Sequence, residues 1–442
     1  MILVNSYQST RPQTPLILLL QGPVGPFFRH LHQRFVDRGF RVVKVNFNGG
    51  DLLFSPRGEV VNFCGSPAQW TLWLNTFLVE QAPAAIVLFG DGRPYHVEAL
   101  HLAKKRQVTT WCLEEGYIRP NYVTCERFGN NARSPLRQES PQVHRRPLEG
   151  SGPVKNPFGV TARYAVLHAI AQIVSGSRFR DNVRHRKRPM AVECARWGLS
   201  LIRKAAYYPA NRLIFRKIVT KRFRDYYVVA LQVHDDLNLL RNGNGWTMAR
   251  LIDEAARSFA AHAPQDRQLL FKVHPLDRGH LPYRRLVSAA AAKYGCRSRI
   301  KIVDDRPIGP MIRNSYGVIT VNSTSGLIAL EHGRPLMVLG NAVYSTATLQ
   351  TLPLRYTSDL DIFWTRPAIA HPDDVLSFFA RMHEESLVGG NFYLATEAPA
   401  TAEAIAGRIH EDFVATCLLK LFPARNSGGQ RMEDIEHERA AG

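Results

Sequence analysis

Four short stretches of this 442-residue sequence gather side chains able to move protons, hold phosphate or attack carbon. LQVHDDLNL (231–239) sets Gln232, His234, Asp235 and Asp236 at the end of an apolar run. Adjacent carboxylates repel, so such a pair is costly unless solvated or used. One acid could serve as a nucleophile; the plain alternative is a surface turn with Asp as helix cap. In FKVHP, Lys272 and His274 flank Val273 and share one strand face, with Pro275 ending the run. A cation and an imidazole so placed can bind phosphate or carboxylate. VNSTSG (321–326) offers Asn322 and the hydroxyls of Ser323, Thr324 and Ser325 where a strand gives way to a helix. Free N–H groups and the positive helix end make such a turn a ready phosphate site, although Ser and Thr are ordinary N-caps too. GDGRPYH (90–96) and EEGYIRP (114–120) bring Asp91, Arg93, Tyr95, His96, Glu114, Glu115, Tyr117 and Arg119 to one rim. Arg93 can pair a carboxylate bidentately, and Glu114 or Glu115 can act as general base. The alternative for this rim is an interdomain salt-bridge network.

These stretches need strand ends to hold them, and the chain supplies a rhythm of strands and helices. PLILLLQG, RVVKVNFNGGD, AAIVLFGDG and VTTWCLEEGY are short apolar runs that mostly end in Gly turns. Helical spacing fills the intervals, including 69–80 and 95–106. DYYVVALQV, RQLLFKVHP, SRIKIVDD, YGVITVNSTSG and RPLMVLG repeat the pattern in the second half. Alternating strands and helices predict parallel, doubly wound sheets covered on both faces. The fold class expected is α/β and GT-B-like: two Rossmann-type domains facing a central cleft, with a C-terminal helical segment. Ligands of such folds bind at the C-terminal ends of the strands. The KVHP and STS turns, two strands apart in one half, would then grip a single nucleotide phosphate. QGPVG and FNGGD lack the GxGxxG spacing, which disfavours NAD chemistry.

The expected organisation is a first Rossmann-like domain over 1–177, ending in an irregular excursion from 131. A basic amphipathic connection follows over 178–224, then a second Rossmann-like domain over 225–375. Helices over 376–424 and a loose tail over 425–442 close the chain. The connection holds 15 Lys or Arg against two acids, with aromatic and apolar residues interleaved. The whole chain carries 57 Lys and Arg against 37 Asp and Glu, a formal charge of +20. That surplus favours anionic partners. The interleaving suits an amphipathic segment on anionic lipid; a solvated helical face and a nucleic-acid arm are the alternatives, and no nucleic-acid motif supports the last. The six cysteines form no CxxC pair, as in a reducing compartment. No run of about 20 apolar residues crosses a bilayer, and the short apolar run near the start does not read as a secretion signal.

LLLQGPVGPFFRHL, KVNFNGGD, LFGDGRPYH, LEEGYIRP, LQVHDD, FKVHP and VNSTSGLIALEHGRPLMVLG, in this order, resemble the capsule polysaccharide biosynthesis proteins of the KpsS/LipB type. The resemblance covers about residues 16–345 but not the basic middle region or the tail. KpsC-type enzymes share the LQV-x-DD, HP and Ser/Thr-rich blocks. It implies a retaining β-Kdo glycosyltransferase, with CMP-β-Kdo as co-substrate and no further cofactor or metal. The acceptor implied is phosphatidylglycerol or its lyso form, at the cytoplasmic face of the bacterial inner membrane, where the protein would sit peripherally. The product would begin the poly-Kdo linker of capsular polysaccharide, with capsule assembly and export proteins as further partners and no nucleic acid. By the same resemblance Asp236 is the nucleophile, with Asp235 its rival, and Glu115, with Glu114 its rival, deprotonates the acceptor. Lys272 and His274 would hold the CMP phosphate, with Ser323, Thr324 and Ser325 completing the grip and Pro275 and Asn322 also on the donor side. Arg93 would pair the Kdo carboxylate and Glu331 reach the ribose, so that the second domain would take the nucleotide sugar and the first the acceptor. Asp91, Tyr95, His96, Tyr117 and Arg119 fall on the acceptor side. One departure is Leu237-Asn238, where many relatives carry Ser-Gln. The competing readings are a non-catalytic export or scaffold protein and a transferase for a different CMP-sugar, such as sialic acid.

Overall fold

Runs of branched apolar residues too short for helices become the buried strands of two sheets. The computed structural model describes residues 14–139, 158–179, 190–223 and 225–421. The expected tail over 425–442, part of the excursion (140–157) and part of the basic connection (180–189 and Arg224) lie outside the described residues.

The first sheet holds β1 (Leu16–Leu19), β2 (Arg41–Asn46), β3 (Glu59–Asn62), β4 (Ala85–Phe89), β5 (Thr109–Glu115) and β6 (Tyr122–Arg127). The second holds β7 (Tyr226–Ala230), β8 (Gln268–Lys272), β9 (Ile300–Val303), β10 (Gly317–Thr320) and β11 (Leu336–Val338). A last strand, β12 (Leu387–Gly389), returns to the first sheet, whose order is β12-β6-β5-β4-β1-β2-β3. β1 to β5 run parallel, with Leu18 opposite Val43 and Ile86. β6 and β12 add an antiparallel edge. The second sheet, in order β11-β10-β7-β8-β9, is parallel throughout. β1, β4, β7 and β10 are buried at every residue, as strands covered by helices on both faces must be. The architecture is therefore two Rossmann-type domains facing a central cleft, GT-B-like, with a helical C-terminal segment.

Local chemistry fixes the helix starts. Ser66 and Gln69 form a capping box at the head of Pro67–Gln81, and Thr247 caps Met248–His262. β3 and β12 escape the strand reading of the sequence because each is short and sits at an edge, and β6 escapes it because polar residues interrupt its apolar run. The helical tail is not continuous. Pro372–Glu385 buries Val375, Phe378, Phe379 and Met382 in the second lobe's core. Ala398–Leu421 crosses back and packs Ala402, Ile405, Ala406 and Ile409 against the first lobe.

Two expectations need correction. The stretch after 131 is not irregular throughout: Phe158–Val174 forms a helix of 17 residues. Its apolar residues point outward, so the periodicity that normally betrays a core-facing helix is inverted. The basic connection is chiefly one helix, Met190–Val219, with Pro209 inside it. Its far end belongs to the second lobe, since Ile218 is fully buried and Asn211 receives the Asp304 N–H at 3.2 Å.

Candidate active site

The C-terminal ends of β4, β5, β7, β8 and β10 converge on one cleft between the lobes, with a cavity of about 490 Å³. From the first lobe Asp91, Arg93, Glu114, Glu115, Tyr117 and Arg119 line it; from the second come Asp235, Asp236, His274, Asn322, Ser323 and Thr324. Residues separated by up to about half the chain thus face one another, as strand-end placement requires.

On the second lobe, the turn after β7 starts the short helix Leu237–Asn242. Asp236 is its N-cap, accepting the Asn238 N–H at 2.9 Å. Capping and exposure coexist here: Asp236 is exposed at the cleft, whereas Asp235 is half-buried. Behind them Gln232 and Asn322 exchange two hydrogen bonds, at 2.9 and 3.0 Å, tying the β7 turn to the β10 turn. Asn322 also donates to the Asn238 carbonyl at 2.9 Å. Asn322 is therefore occupied as a tie between turns, and the departure residue Asn238 is part of the same knot.

His274 accepts the Leu276 N–H on Nδ1 at 3.2 Å. Burial, then the adjacent Lys272, lowers its pKa to about 4. At neutral pH the ring is uncharged, with its proton on Nε2, a hydrogen-bond donor for an anion. Lys272 does not line the cleft. Its Nζ is buried and donates to the Val273 carbonyl at 2.6 Å, and burial lowers its pKa to about 8. Ser323 and Ser325 share a hydroxyl–hydroxyl bond of 3.1 Å, and the Tyr344 hydroxyl donates to the Ser323 carbonyl. Ser325 and Pro275 stand just outside the lining, and Glu331 is exposed at the far end of the helix Ser325–Glu331.

The first lobe's rim is a denser network. Asp91 is buried and accepts from Asn130 N at 3.0 Å and Arg133 Nε at 2.9 Å, clamping the loop after β6. Tyr117 donates to Glu126 at 2.8 Å and accepts the Asn131 N–H at 2.7 Å. Arg93 donates to the Gly22 carbonyl at 3.0 Å, and Arg119 to the Gly116 carbonyl at 3.0 Å. Glu115 accepts the Tyr393 hydroxyl at 2.6 Å. Burial pushes the Glu114 carboxyl up to about 7; Glu115 and Asp91 push the same way, while Arg119 and Arg93 oppose. A carboxyl near neutrality is suited to general acid–base work. Tyr95 and His96 do not reach the cleft. Tyr95 stacks on Phe47 at 4.7 Å in the core. His96 lies 2.7 Å from the Gly90 carbonyl, and burial lowers its pKa to about 3.

Sequence reasoning passed over several contributors. Tyr393 arrives from the segment after β12, with only the short NFY run to mark it. Trp197, on the basic helix, lines the cleft from a segment outside both sheets. Asp277, fully buried, accepts from His234 N at 3.1 Å and Tyr283 OH, with its Oδ1 2.6 Å from His234 Nδ1. The HP dipeptide three residues earlier was the available signal for that hub. Among the described residues no group of three or more His, Cys, Asp or Glu is placed to hold a metal ion.

Fold and site define a two-lobed α/β protein of GT-B type whose interlobe cleft carries acids from both sides. Residues 84–393 match the family described as capsule polysaccharide biosynthesis protein, and this chain belongs to that family. It is 31% identical over 404 residues to the capsule polysaccharide modification protein LipB of Neisseria meningitidis serogroup B, covering 89% of this chain and 95% of LipB. It is 32% identical over 352 residues to the capsule polysaccharide export protein KpsS of Escherichia coli, covering 78% of this chain and 89% of KpsS. Among solved structures, the beta Kdo 2,7 transferase KpsC of Thermosulfurimonas dismutans aligns over 91% of this chain and 99% of its own, with 10% identity and a TM-score of 0.37. A likeness that distant carries no residue roles.

Proposed function

We propose that this protein is a retaining glycosyltransferase that moves β-Kdo from CMP-β-Kdo to phosphatidylglycerol or its lyso form, beginning a poly-Kdo linker. The observation carrying this reading is the single cleft shared by Asp236, Glu114, Glu115, His274, Ser323 and Thr324. In the first step an Asp236 carboxylate oxygen attacks the anomeric carbon and CMP departs with the bonding pair. Neutral His274 and the Ser323–Thr324 turn hold its phosphate. Arg93 pairs the sugar carboxylate. In the second step a glutamate takes the acceptor hydroxyl proton, the oxygen attacks the same carbon, and Asp236 is released. Two inversions at one carbon give retention. Glu114 suits the base role better than Glu115, because its pKa lies near neutrality while Glu115 is engaged by Tyr393. Lys272 acts from behind the cleft as a charge neighbour of His274, and Glu331 has no part in donor binding.

The acceptor would be met at the inner face of the inner membrane. No described helix is long and apolar enough to cross a bilayer, and the formal charge of +20 suits an anionic surface. The test is direct: purified protein, CMP-Kdo and a short-chain phosphatidylglycerol, with mass spectrometry for a Kdo adduct. Transfer abolished by Asp236→Asn in a folded protein supports the enzyme. No transfer by the wild type would favour an export or scaffold role, and preference for CMP-sialic acid would move the donor assignment.

A further inference from the structure

The helix Phe158–Val174 is built inside out. The side it presents to the first lobe is small or polar. Tyr164 packs on Gly25, where an added Cβ would sit 2.7 Å from its ring, and lies 5.6 Å from the Phe54 ring. His168 covers Gly50 and comes within 3.8 Å of the buried Asp51 carboxylate. The backbone of Ala171 lies so close to Gly49 that no side chain would fit there. The opposite side is aliphatic: Val166, Leu167, Ile170, Ile173 and Val174 recur at helical spacing, and all are exposed, Ile173 at 65% and Val174 at 78%. A surface helix normally turns such a stripe inward. Contiguous exposed apolar surface marks an interaction site.

We propose that this face inserts into the acyl boundary of an anionic phospholipid bilayer. This deepens the reading above, on which it rests, by naming the surface that meets the lipid. Charge argues for a bilayer over another protein. Residues 158–174 contain no Asp or Glu. The other long helix outside the two Rossmann cores, Met190–Val219, and the turn after it expose Lys204, Arg212, Arg216, Lys217, Lys221 and Arg222. That helix has one acid, Glu193, which is turned toward His280 at 3.5 Å. It also exposes Leu201 and Ile202, and Trp197 on it reaches the cleft. Cations with aliphatic side chains and no outward acid match headgroups above acyl chains. A second copy would bring like charges together. The position fits as well: Gly25, under Tyr164, is three residues from Gly22, whose carbonyl holds Arg93 at the cleft. A lipid headgroup at this helix would therefore lie beside the acceptor-side rim.

The experiment is co-sedimentation of the full chain with vesicles of phosphatidylcholine alone or mixed with phosphatidylglycerol, alongside transfer to a soluble short-chain acceptor. The wild type is expected to bind only the mixed vesicles. Ile170→Asp with Ile173→Asp is expected to weaken partitioning about tenfold or more, leaving the melting temperature and transfer to the soluble acceptor unchanged. Ile173→Trp, an apolar replacement suited to the interface, is expected to bind at least as well. If the wild type ignores the mixed vesicles, the membrane reading itself fails. If the double variant binds like wild type, that reading stands and this face is not the contact. A lowered melting temperature or a dimer converted to monomer in the double variant would overturn the proposal in favour of the chain's own segments or a second copy.

Discussion

The two rims of the cleft are made of similar residue types and held in opposite ways. On the first lobe, acids and arginines are bonded inward: Asp91 to Arg133 and Asn130, Glu115 to Tyr393, Arg93 to Gly22. On the second, Asp236 and His274 sit on tight turns where backbone N–H groups orient them, at 2.9 and 3.2 Å. Cross-tied, buried charges shift one another's protonation; turn-held side chains keep a face toward the cleft. The first rim is thus equipped to tune a proton and the second to present an attacking oxygen and an anion donor. Substitutions that break this division should differ in kind as well as in size.

The largest effect is expected on the second rim. Asp236→Asn keeps the helix cap, because Asn caps as well as Asp, but loses the attacking carboxylate. Transfer should fall on the order of 10⁴-fold or more, with the melting curve little changed. Steady-state rates beside thermal denaturation measure both.

Next comes the tuned proton. Glu114→Gln should lower transfer by about 10²- to 10⁴-fold, and the Kdo-enzyme ester should then accumulate on Asp236, visible by peptide mapping. Wild-type transfer should rise with pH through about 7, where Glu114 loses its proton. The stability linkage has the opposite sense. The folded carboxyl holds its proton near 7 and the unfolded one near 4.5, so between those values the folded state binds more proton, and this contribution to stability is lost as pH rises. Glu114→Gln removes that loss and should stabilise the protein above pH 7 by about 1–3 kcal/mol. A variant that is inactive yet more stable would separate a functional strain from a structural role.

The contrast also explains how far the sequence could be read. Strand ends of the LFGDG and FKVHP kind announce themselves, because an apolar run stopping at Gly or Pro has few other readings, and the other strands of the second sheet were legible as short apolar runs that stop at polar turns. Placement of Asp236, His274 and Ser323 at one cleft was expected because each follows a strand end of one half, and all three line it. The tuning of Glu114 did not. It depends first on burial, which the folded lobe alone imposes, then on Glu115 and Asp91, with Arg119 and Arg93 opposing, and Glu114 and Glu115 look alike as an EE pair. Tyr393 distinguishes them from 278 residues away. The helix Phe158–Val174 was hidden for another reason: its polarity faces the wrong way for a core-seeking pattern. Tyr95 and His96 were read as rim residues because GDGRPYH is a rim turn. But Pro94 starts a helix there, and its first turn folds both side chains back into the lobe.

Tyr393→Phe probes the first rim more gently. Glu115 would lose its 2.6 Å donor, at a cost of about 1–2 kcal/mol in stability. With Glu114 as base, the pH midpoint of transfer should stay near 7 and the rate should fall less than about tenfold. A loss as large as that of Glu114→Gln, with a displaced midpoint, would transfer the base role to Glu115.

The smallest effect tests whether the two rims must meet closely. Gly92 of the first lobe lies against Leu237 and Arg241 of the second: a Cβ added there would come 3.2 Å from the Leu237 Cβ and 3.5 Å from the Arg241 Cδ. That is tight enough to demand a shift of a few tenths of an ångström, yet without overlap. Gly92→Ala should therefore fold normally while holding the lobes slightly apart. Two-step transfer needs the base on one lobe and the nucleophile on the other to address the same carbon, and a misplacement of 1 Å can cost about 10²-fold. The smaller shift should lower kcat by about two- to tenfold, and Leu237→Gly in the same chain, which removes the Cβ that the new methyl would meet, should restore it by making room. Restoration by the second substitution would locate the effect in the gap between rims, since neither residue supplies a group for the chemistry.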